Sequence, residues 1–167
     1  TFNGLKTFDD GIAFTQTGTA ASGAATTGST QQHYEEGTWT PTLTSSGGGS
    51  QANGTRVGFF RRIGGVVFFS LRVAPTAGVG SLSAGNVSIT GLPFTSLSTA
   101  NALNAVTLGE ANGIDFDTGE LTLLANINNN ATAINFAFQR DNTSQANLAV
   151  ADISSATEIT ASGFYFV

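Results

Sequence analysis

The feature that most constrains this chain is a run of alternating apolar residues at positions 66–73. Every second position there carries a large apolar side chain, namely Val67, Phe69, Leu71 and Val73. Because successive side chains of an extended chain point to opposite faces, these four share one face of a β-strand. A helical stripe develops almost nowhere, since Gly, Thr, Ser and Asn interrupt the windows in which one could form. The sequence therefore predicts a protein built from strands.

Strand signals recur along the rest of the chain. Residues 57–63 are the predicted partner of the first strand, because Gly64 and Gly65 between the two can adopt the positive φ angles of a tight hairpin. Further strands are predicted at residues 86–90, 103–108, 120–125, 132–138 and 158–167. Turn-forming sequences separate them at residues 84–86, 111–113, 117–119 and 128–130. Many short strands without helices predict an all-β fold, an antiparallel β-sandwich of jelly-roll type.

Composition argues against several classes of function. The net charge is -5 and only six residues are basic, which disfavours a nucleic-acid partner because phosphates are neutralised by clustered Lys and Arg. No cysteine is present, so neither a disulfide framework nor a thiolate metal site is expected. No apolar run reaches the ~20 residues of a membrane span, so we expect no membrane insertion.

The first part of the chain differs in kind from the rest. Its large apolar residues stand at even offsets, as on one face of an extended segment, and they are Phe2, Phe8, Ile12 and Phe14. They have no strand partner nearby in sequence, and residues 18–32 are almost wholly small or polar and predict a linker. We therefore predict an extended stalk or docking segment at residues 1–33 and a β-sandwich domain at residues 34–167, with those four side chains contacting other copies of the chain.

Catalytic groups are sparse. His33 is the only histidine, and no nucleophile accompanies it in a strained-turn sequence. Acidic residues at positions 115–120 have suggestive spacing, but they lack the later ligands of a calcium-binding loop. We interpret this segment as an Asp-rich turn, with an ion site and catalysis as alternatives. The prediction is a non-enzymatic chain with no catalytic residue, no cofactor and no metal site.

Two further features leave alternatives open. Arg61 and Arg62 are consecutive, so on a strand they face opposite ways. They either form an ion pair across a subunit boundary or act as surface charges at a sheet edge. Trp39 either packs against the sheet or stacks on a sugar ring, and its position between Thr residues at strand-like spacing favours packing.

Short motifs occur along the chain in a definite order. They are YEEGTWTPTL at residues 34–43, GFFRRIG at 58–64, VSITGLPF at 87–94 and a closing segment at 152–165 that ends in SGFY. Together they resemble the C-terminal domain of tail fibre and receptor-binding proteins from tailed bacteriophages. We predict structural roles for the motif residues Trp39, Pro41, Gly58, Ile63, Gly64, Gly91, Pro93 and Phe94. The chain departs from the family pattern at Phe60, where a tyrosine is common, and at residues 47–49, which are unusually rich in glycine and predict a flexible loop inside the sandwich.

The resemblance implies a trimeric β-sandwich at the end of a fibre, carried on the extracellular virion, that contributes to recognition of the bacterial surface. The implied partners are two further copies of the chain, other tail proteins through the N-terminal segment, and a bacterial surface glycan. Specificity usually lies in loops, so the candidate receptor contacts are polar loop residues, Asn101, Asn104, Asp141 and Asn142.

The residues themselves also predict association. Both faces of residues 66–69 are apolar, and a lone sandwich buries only one face of each sheet. Two alternatives remain for the function. One is a fibre or decoration protein that serves virion assembly without binding a receptor, and the other is a fragment of a glycan-cleaving tailspike.

Overall fold

The computed structural model describes residues 12–13, 30–31, 33–51, 53–76, 81–100 and 102–167. This part of the chain is all-β. Its strands are β1 (Ile12–Ala13), β2 (Thr30–Gln31), β3 (Tyr34–Trp39), β4 (Thr42–Ser45), β5 (Thr55–Ile63), β6 (Val66–Ala74), β7 (Val87–Thr90), β8 (Asn104–Ile114), β9 (Glu120–Ile127), β10 (Ala133–Arg140), β11 (Ala146–Asn147) and β12 (Ile153–Phe166). The only helix among the described residues is a three-residue 3₁₀ turn, Val150–Asp152. No helix in the described ranges has the length and apolar character that crossing a membrane requires.

Ten of the strands form one antiparallel sheet in the order β3-β5-β6-β12-β8-β9-β10-β7-β4, and β11 pairs with β10 on the same edge as β7, beyond the residues that β7 covers. β8 and β9 pair over only three residues each, Asn104–Val106 against Ala125–Ile127. Beyond that point β8 follows β12, whereas β9 follows β10. The sheet therefore divides into a half built on β3, β5, β6, β12 and β8 and a half built on β9, β10, β7, β4 and β11.

The two halves share one hydrophobic core. The alternation predicted for β6 is confirmed, because Val67, Phe69, Leu71 and Val73 are all at most 5% exposed. The other half contributes Ile134, Phe136 and Phe138 of β10 to the same cluster, again at every second position. Burial of each such side chain contributes about 1.5–3 kcal/mol, so this cluster is the main source of the fold's stability.

One end of the sheet contains both the start of β3 and the end of β12. Tyr34, the first residue of β3, is opposite Ile63 of β5, and Phe166 of β12 is opposite Val66 of β6. The hairpin turn Gly64–Gly65 lies between these pairs. We call this end of the sheet the base.

The opposite end carries a different set of loops. β8 begins near the base, because its Val106 is opposite Gly163 of β12. β9 pairs antiparallel with the start of β8 and therefore ends near the base. Its first residue, Glu120, and the partner residue Arg140 at the end of β10 consequently lie far from the base. We call this the distal end, and the loops at residues 115–119 and 141–145 are there.

Most predicted strands are confirmed to within a few residues, but β8 and β12 are longer than predicted. β8 continues to Ile114 through Ala111, Asn112 and Gly113, so the turn predicted at residues 111–113 is wrong. The strand pairing of β8 and β12 is irregular between Ile153 and Glu158. Gly113 has a φ of 63° there, and a Cβ atom on it would lie 2.6 Å from the backbone of Ala156. The glycine serves a β-bulge rather than a turn.

Two predictions about glycine-rich or linker segments also change. Ile12 is opposite Gln31 in the small β1–β2 pair, so at β1 the segment has a strand partner inside the region predicted to be a linker. Phe2, Phe8 and Phe14 lie outside the described residues. The glycines at 47–49 form a packed turn rather than a flexible loop, since a Cβ on Gly47 would lie 1.7 Å from the carbonyl oxygen of Ala84.

Candidate functional site

The motif glycines lie beneath aromatic rings of the neighbouring strand. Trp39 of β3 is directly opposite Gly58 of β5, and Phe60 of β5 is directly opposite Gly37 of β3. A Cβ atom on Gly58 would lie 2.5 Å from the Trp39 ring, which is too close for any real contact. The glycine therefore makes the space in which the ring packs, as glycines paired with aromatic residues do in sheets. The Trp39 ring in turn meets Phe69 edge-on at 6.2 Å, which supports packing rather than sugar stacking.

The Gly-Leu-Pro-Phe motif turns the chain at the base. β7 ends at Thr90, and Gly91 follows with a φ of 88°. Phe94 is half-buried, with its ring edge-on to Phe60 at 5.5 Å. The guanidinium carbon of Arg62 lies 4.9 Å from the centre of the same ring, a cation–π contact. The backbone N–H of Phe94 also donates to the hydroxyl of buried Tyr165 at 3.3 Å.

Residues from all four motifs are therefore linked by contacts among Trp39, Phe60, Phe69, Phe94 and Tyr165. The remaining motif residues differ in exposure. Pro41 is buried, Pro93 is half-buried, and Ile63 is partly exposed beside Gly64, whose φ of 60° closes the β5–β6 hairpin.

Phe94→Ala should lower the free energy of unfolding by about 2 kcal/mol. Truncation of a fully buried Phe costs about 3–5 kcal/mol, and Phe94 is only half-buried. Denaturant titration at fixed chain concentration measures the change, with Leu103→Ala as the control because Leu103 is 65% exposed. A loss below ~1 kcal/mol, or one no larger than that of the control, would contradict the packing role.

The consecutive arginines are paired within the chain. Arg61 contacts Glu36 at 2.8 Å on the outer face of the sheet, and Arg62 reaches Glu35 at 3.7 Å on the other. The predicted opposite orientation is confirmed, and both partners lie on the edge strand β3. A hydrogen bond from Tyr34 and then the contact with Arg61 hold the pKa of the Glu36 carboxyl below its usual value. This arrangement favours charges that protect a sheet edge over an ion pair between subunits.

A cluster of large apolar side chains lies on the outside of β5, β6 and β12. Its members point away from the core and remain 42–56% exposed; they are Val57, Phe59, Phe68, Phe164 and Phe166. Phe164 touches both Phe68, at 6.1 Å between ring centres, and Phe166, at 6.0 Å. We call this surface the aromatic face.

Charges around the aromatic face are already neutralised. Arg61 is paired with Glu36, and Arg72 of β6 is paired with Glu158 of β12. Both pairs join neighbouring strands of one chain. The five side chains of the aromatic face are therefore uncharged, and the two arginines beside it are paired, although the whole chain carries -5.

A polar pocket lies at the distal end, on the other half-sheet. It is lined by residues of two loops and the strand ends beside them, namely Asp117, Thr118, Gly119, Arg140, Asp141 and Thr143. We call it the distal pocket. Sequence spacing does not reveal it, because its two sides are more than twenty positions apart and meet only through the pairing of β9 with β10.

Buried Glu120 holds the distal pocket together. Its side chain is 3% exposed, and its Oε1 accepts hydrogen bonds from Nε and Nη2 of Arg140 at 3.2 and 2.7 Å. Its Oε2 accepts the backbone N–H of Asp117 at 3.0 Å. The backbone N–H of Asp141 donates to the carbonyl of Gly119 at 3.1 Å, which ties the second loop to the first. The Arg140 side chain and the backbones of the two loops are therefore held in place before any ligand binds.

The four predicted receptor residues lie in different places. Asp141 and Asn142 are exposed in the distal loop after β10, and Asn142 has a φ of 56°. Asn104 is instead the first residue of β8, 8% exposed and opposite Ile127 where the two half-sheets join. It is not an exposed loop residue, because strand pairing begins at this position rather than after it. Asn101 lies outside the described residues.

The acidic segment at residues 115–120 forms the predicted turn. Glu120 forms an ion pair with Arg140, and the carboxylates of Asp115 and Asp117 are exposed. In the described ranges no group of three or more His, Cys, Asp or Glu side chains is placed to hold a metal ion. His33 is exposed at the base, far along the sheet from these acids.

No protein-family model matches the chain. Neither a curated protein nor a solved structure matches it. The motifs, the aromatic face and the distal pocket are therefore the features from which a function can be argued.

Proposed function

We propose that the chain is a non-enzymatic structural module of a tailed-phage virion, a trimeric fibre tip or tail-attached part that contributes to recognition of the host surface. The observation that carries the proposal is the aromatic face. The four motifs support the phage-fibre assignment, because their sequences and their order along the chain resemble that family. They also pack against one another around Trp39, Phe60 and Tyr165.

The aromatic face is large for a monomer. The four phenylalanines of the aromatic face are each about half exposed. Since a Phe side chain has roughly 200 Å² of surface, together they expose roughly 400 Å² of apolar area. The largest apolar patch on a typical monomer is about 300–600 Å² and often functional. Here the patch is a continuous run of rings on adjacent strands, which is the composition of an interface core.

Further copies of the same chain are the occupant that best fits this face. A charged partner would gain nothing from a surface whose two arginines are already paired with Glu36 and Glu158. Copies of one acidic chain repel each other elsewhere, but they do not at a surface with no net charge. The family resemblance implies three copies, and a closed ring of three leaves no aromatic face open for continued association. In this arrangement the sheet is a jelly-roll-like sandwich, and residues 1–33 are a stalk that docks to other tail proteins.

Phe68→Asp should convert a trimer into folded monomers. The side chain is 47% exposed, so the substitution leaves the core intact but places a charge at the centre of the proposed interface. Sedimentation equilibrium at micromolar concentration gives the mass, and circular dichroism checks the fold. Leu121→Asp is the matched control, because Leu121 is equally apolar and 64% exposed on β9, outside the aromatic face.

The outcomes separate the possible interfaces. A wild-type chain that is a well-folded monomer contradicts the trimer. If Phe68→Asp remains trimeric while Phe8→Asp dissociates, the N-terminal segment carries the assembly instead of the aromatic face. We expect Phe8→Asp or Phe14→Asp to loosen the stalk more than the sandwich.

Two other functions share parts of this evidence. A fibre or decoration protein that serves assembly alone would form the trimer but would bind no bacterial surface. A glycan-cleaving tailspike fragment would release reducing ends from host polysaccharide, and such cleavage lost on Asp115→Asn or Asp117→Asn would overturn the non-enzymatic proposal. Imaging the whole virion would show whether the module lies at a fibre tip.

A further inference from the structure

The distal pocket lies at the end of the sheet opposite the one at which β3 begins. Tyr34 begins β3 at the base, beside the hairpin and the last strand, whereas Glu120 and Arg140 are at the other end of β9 and β10. A fibre that continues into this domain through Tyr34 therefore presents the distal pocket at its outermost surface. The aromatic face shares no residue with the pocket, so assembly through that face leaves the pocket open.

The lining of the pocket offers a mixed set of hydrogen-bonding groups. Asp117 and Asp141 supply carboxylate acceptors, Arg140 supplies guanidinium donors, and the hydroxyls of Thr118 and Thr143 can do either. Adjacent hydroxyls of a sugar ring also both donate and accept, so they match such a set. The pocket is preformed, because Glu120 fixes Arg140 and the two loops are bonded to each other. A preformed site saves the entropy of ordering loops on binding.

We infer that the distal pocket binds one sugar residue of a bacterial surface polysaccharide, and that this sugar is neutral or carries an amino group. The charge of Arg140 is offset by Glu120, which leaves the carboxylates of Asp117 and Asp141 to set the sign of the field. An acidic sugar would be repelled by them. The inference rests on the proposed function, since it names the site and the ligand class of host recognition.

An array of purified bacterial polysaccharides, neutral, amino-sugar and acidic, tests the inference with the full chain as probe. We expect the wild-type chain to bind members of the first two classes. Asp141→Asn should weaken that binding about tenfold, since it removes the negative charge that strengthens a hydrogen bond to the sugar, and Thr143→Ala should weaken it severalfold, since it removes a neutral hydroxyl. Glu110→Gln is the matched control, because it also removes an exposed carboxylate but lies outside the pocket. Sedimentation of each variant checks that assembly is unchanged.

The results of the array test separately whether the distal pocket is the binding site, which class of sugar it binds and whether the chain recognises the host. If wild-type binding is undiminished in the pocket variants, the pocket is not the site, although host recognition stands. Binding confined to acidic polysaccharides overturns the ligand class. If the wild-type chain is trimeric but binds no polysaccharide, the inference is wrong and the chain serves assembly alone. If the wild-type chain is a monomer, that result counts against the proposed function, whether or not the chain binds sugar.

Discussion

Gly58→Ala should lower the free energy of unfolding by about 3 kcal/mol, although it adds a single methyl group. That methyl carbon would lie 2.5 Å from the ring of Trp39. The ring must therefore leave its place against Phe69, which adds the loss of a packed aromatic side chain to the strain of overpacking. Denaturant titration at fixed chain concentration measures the change, because the stability of an assembling protein depends on concentration.

A double-mutant cycle assigns this loss to the ring. In the Trp39→Ala background no ring remains for the new methyl group to meet, so Gly58→Ala should then cost less than ~0.5 kcal/mol. The coupling energy between the two positions is expected to be about 2–3 kcal/mol, at the upper end of values for residues in contact. Equal costs in the two backgrounds would show that the glycine is required for another reason.

A glycine elsewhere in the same hairpin is the control for the cycle. Gly65 has ordinary backbone angles, and a Cβ atom on it would lie 3.6 Å from the nearest neighbour, the carbonyl oxygen of Val167. Gly65→Ala should therefore change the stability by less than ~0.5 kcal/mol. A large loss there would mean that any side chain at this end of the sheet is harmful.

The strands that could be predicted are those in which one face is buried and the other is not. In β6 the alternation of Phe69, Leu71 and Val73 with Ser70 and Arg72 is the direct signature of such a strand, and the structure buries the three apolar side chains. β8 was predicted too short because Asn112-Gly113 has the composition of a turn. β8 continues through these residues because it pairs with β12, and Gly113 fits the irregular part of that pairing.

The candidate surfaces were harder to predict, because they depend on which residues become neighbours across strands. β12 ends in three consecutive aromatic residues, Phe164, Tyr165 and Phe166, whose side chains face opposite sides of the sheet in turn. The sequence alone does not determine whether the tyrosine or the two phenylalanines face the core. The structure buries Tyr165 and leaves both phenylalanines outside. Likewise, Asp141 could be identified as a loop residue, but the Glu120 to Arg140 contact that fixes its loop follows from the register of β9 and β10.

The chain should lose up to about 2–3 kcal/mol of stability as the pH rises from 10 to 12, and the loss should depend on Tyr165. Burial raises the pKa of this tyrosine to about 12, although the N–H of Phe94 and the charge of Arg62 act in the opposite direction. In the unfolded chain the group titrates near 10. The unfolded state therefore releases its proton first, and the stabilisation, fully present below pH 10, is lost as the pH rises towards 12.

Few other groups obscure this transition. The sequence contains two tyrosines and a single lysine, Lys6. The second tyrosine, Tyr34, is exposed, and its hydrogen bond to Glu36 raises its pKa as well, so the difference between the wild type and Tyr165→Phe isolates the effect of Tyr165. Urea titrations at pH 8 and at steps up to pH 12 measure the free energy of unfolding for the wild type and for Tyr165→Phe. The variant loses the hydroxyl that accepts from Phe94, so it should be about 1 kcal/mol less stable at pH 8. It should then show a much flatter dependence above pH 10, and equal slopes for the two proteins would mean that another group governs the alkaline loss.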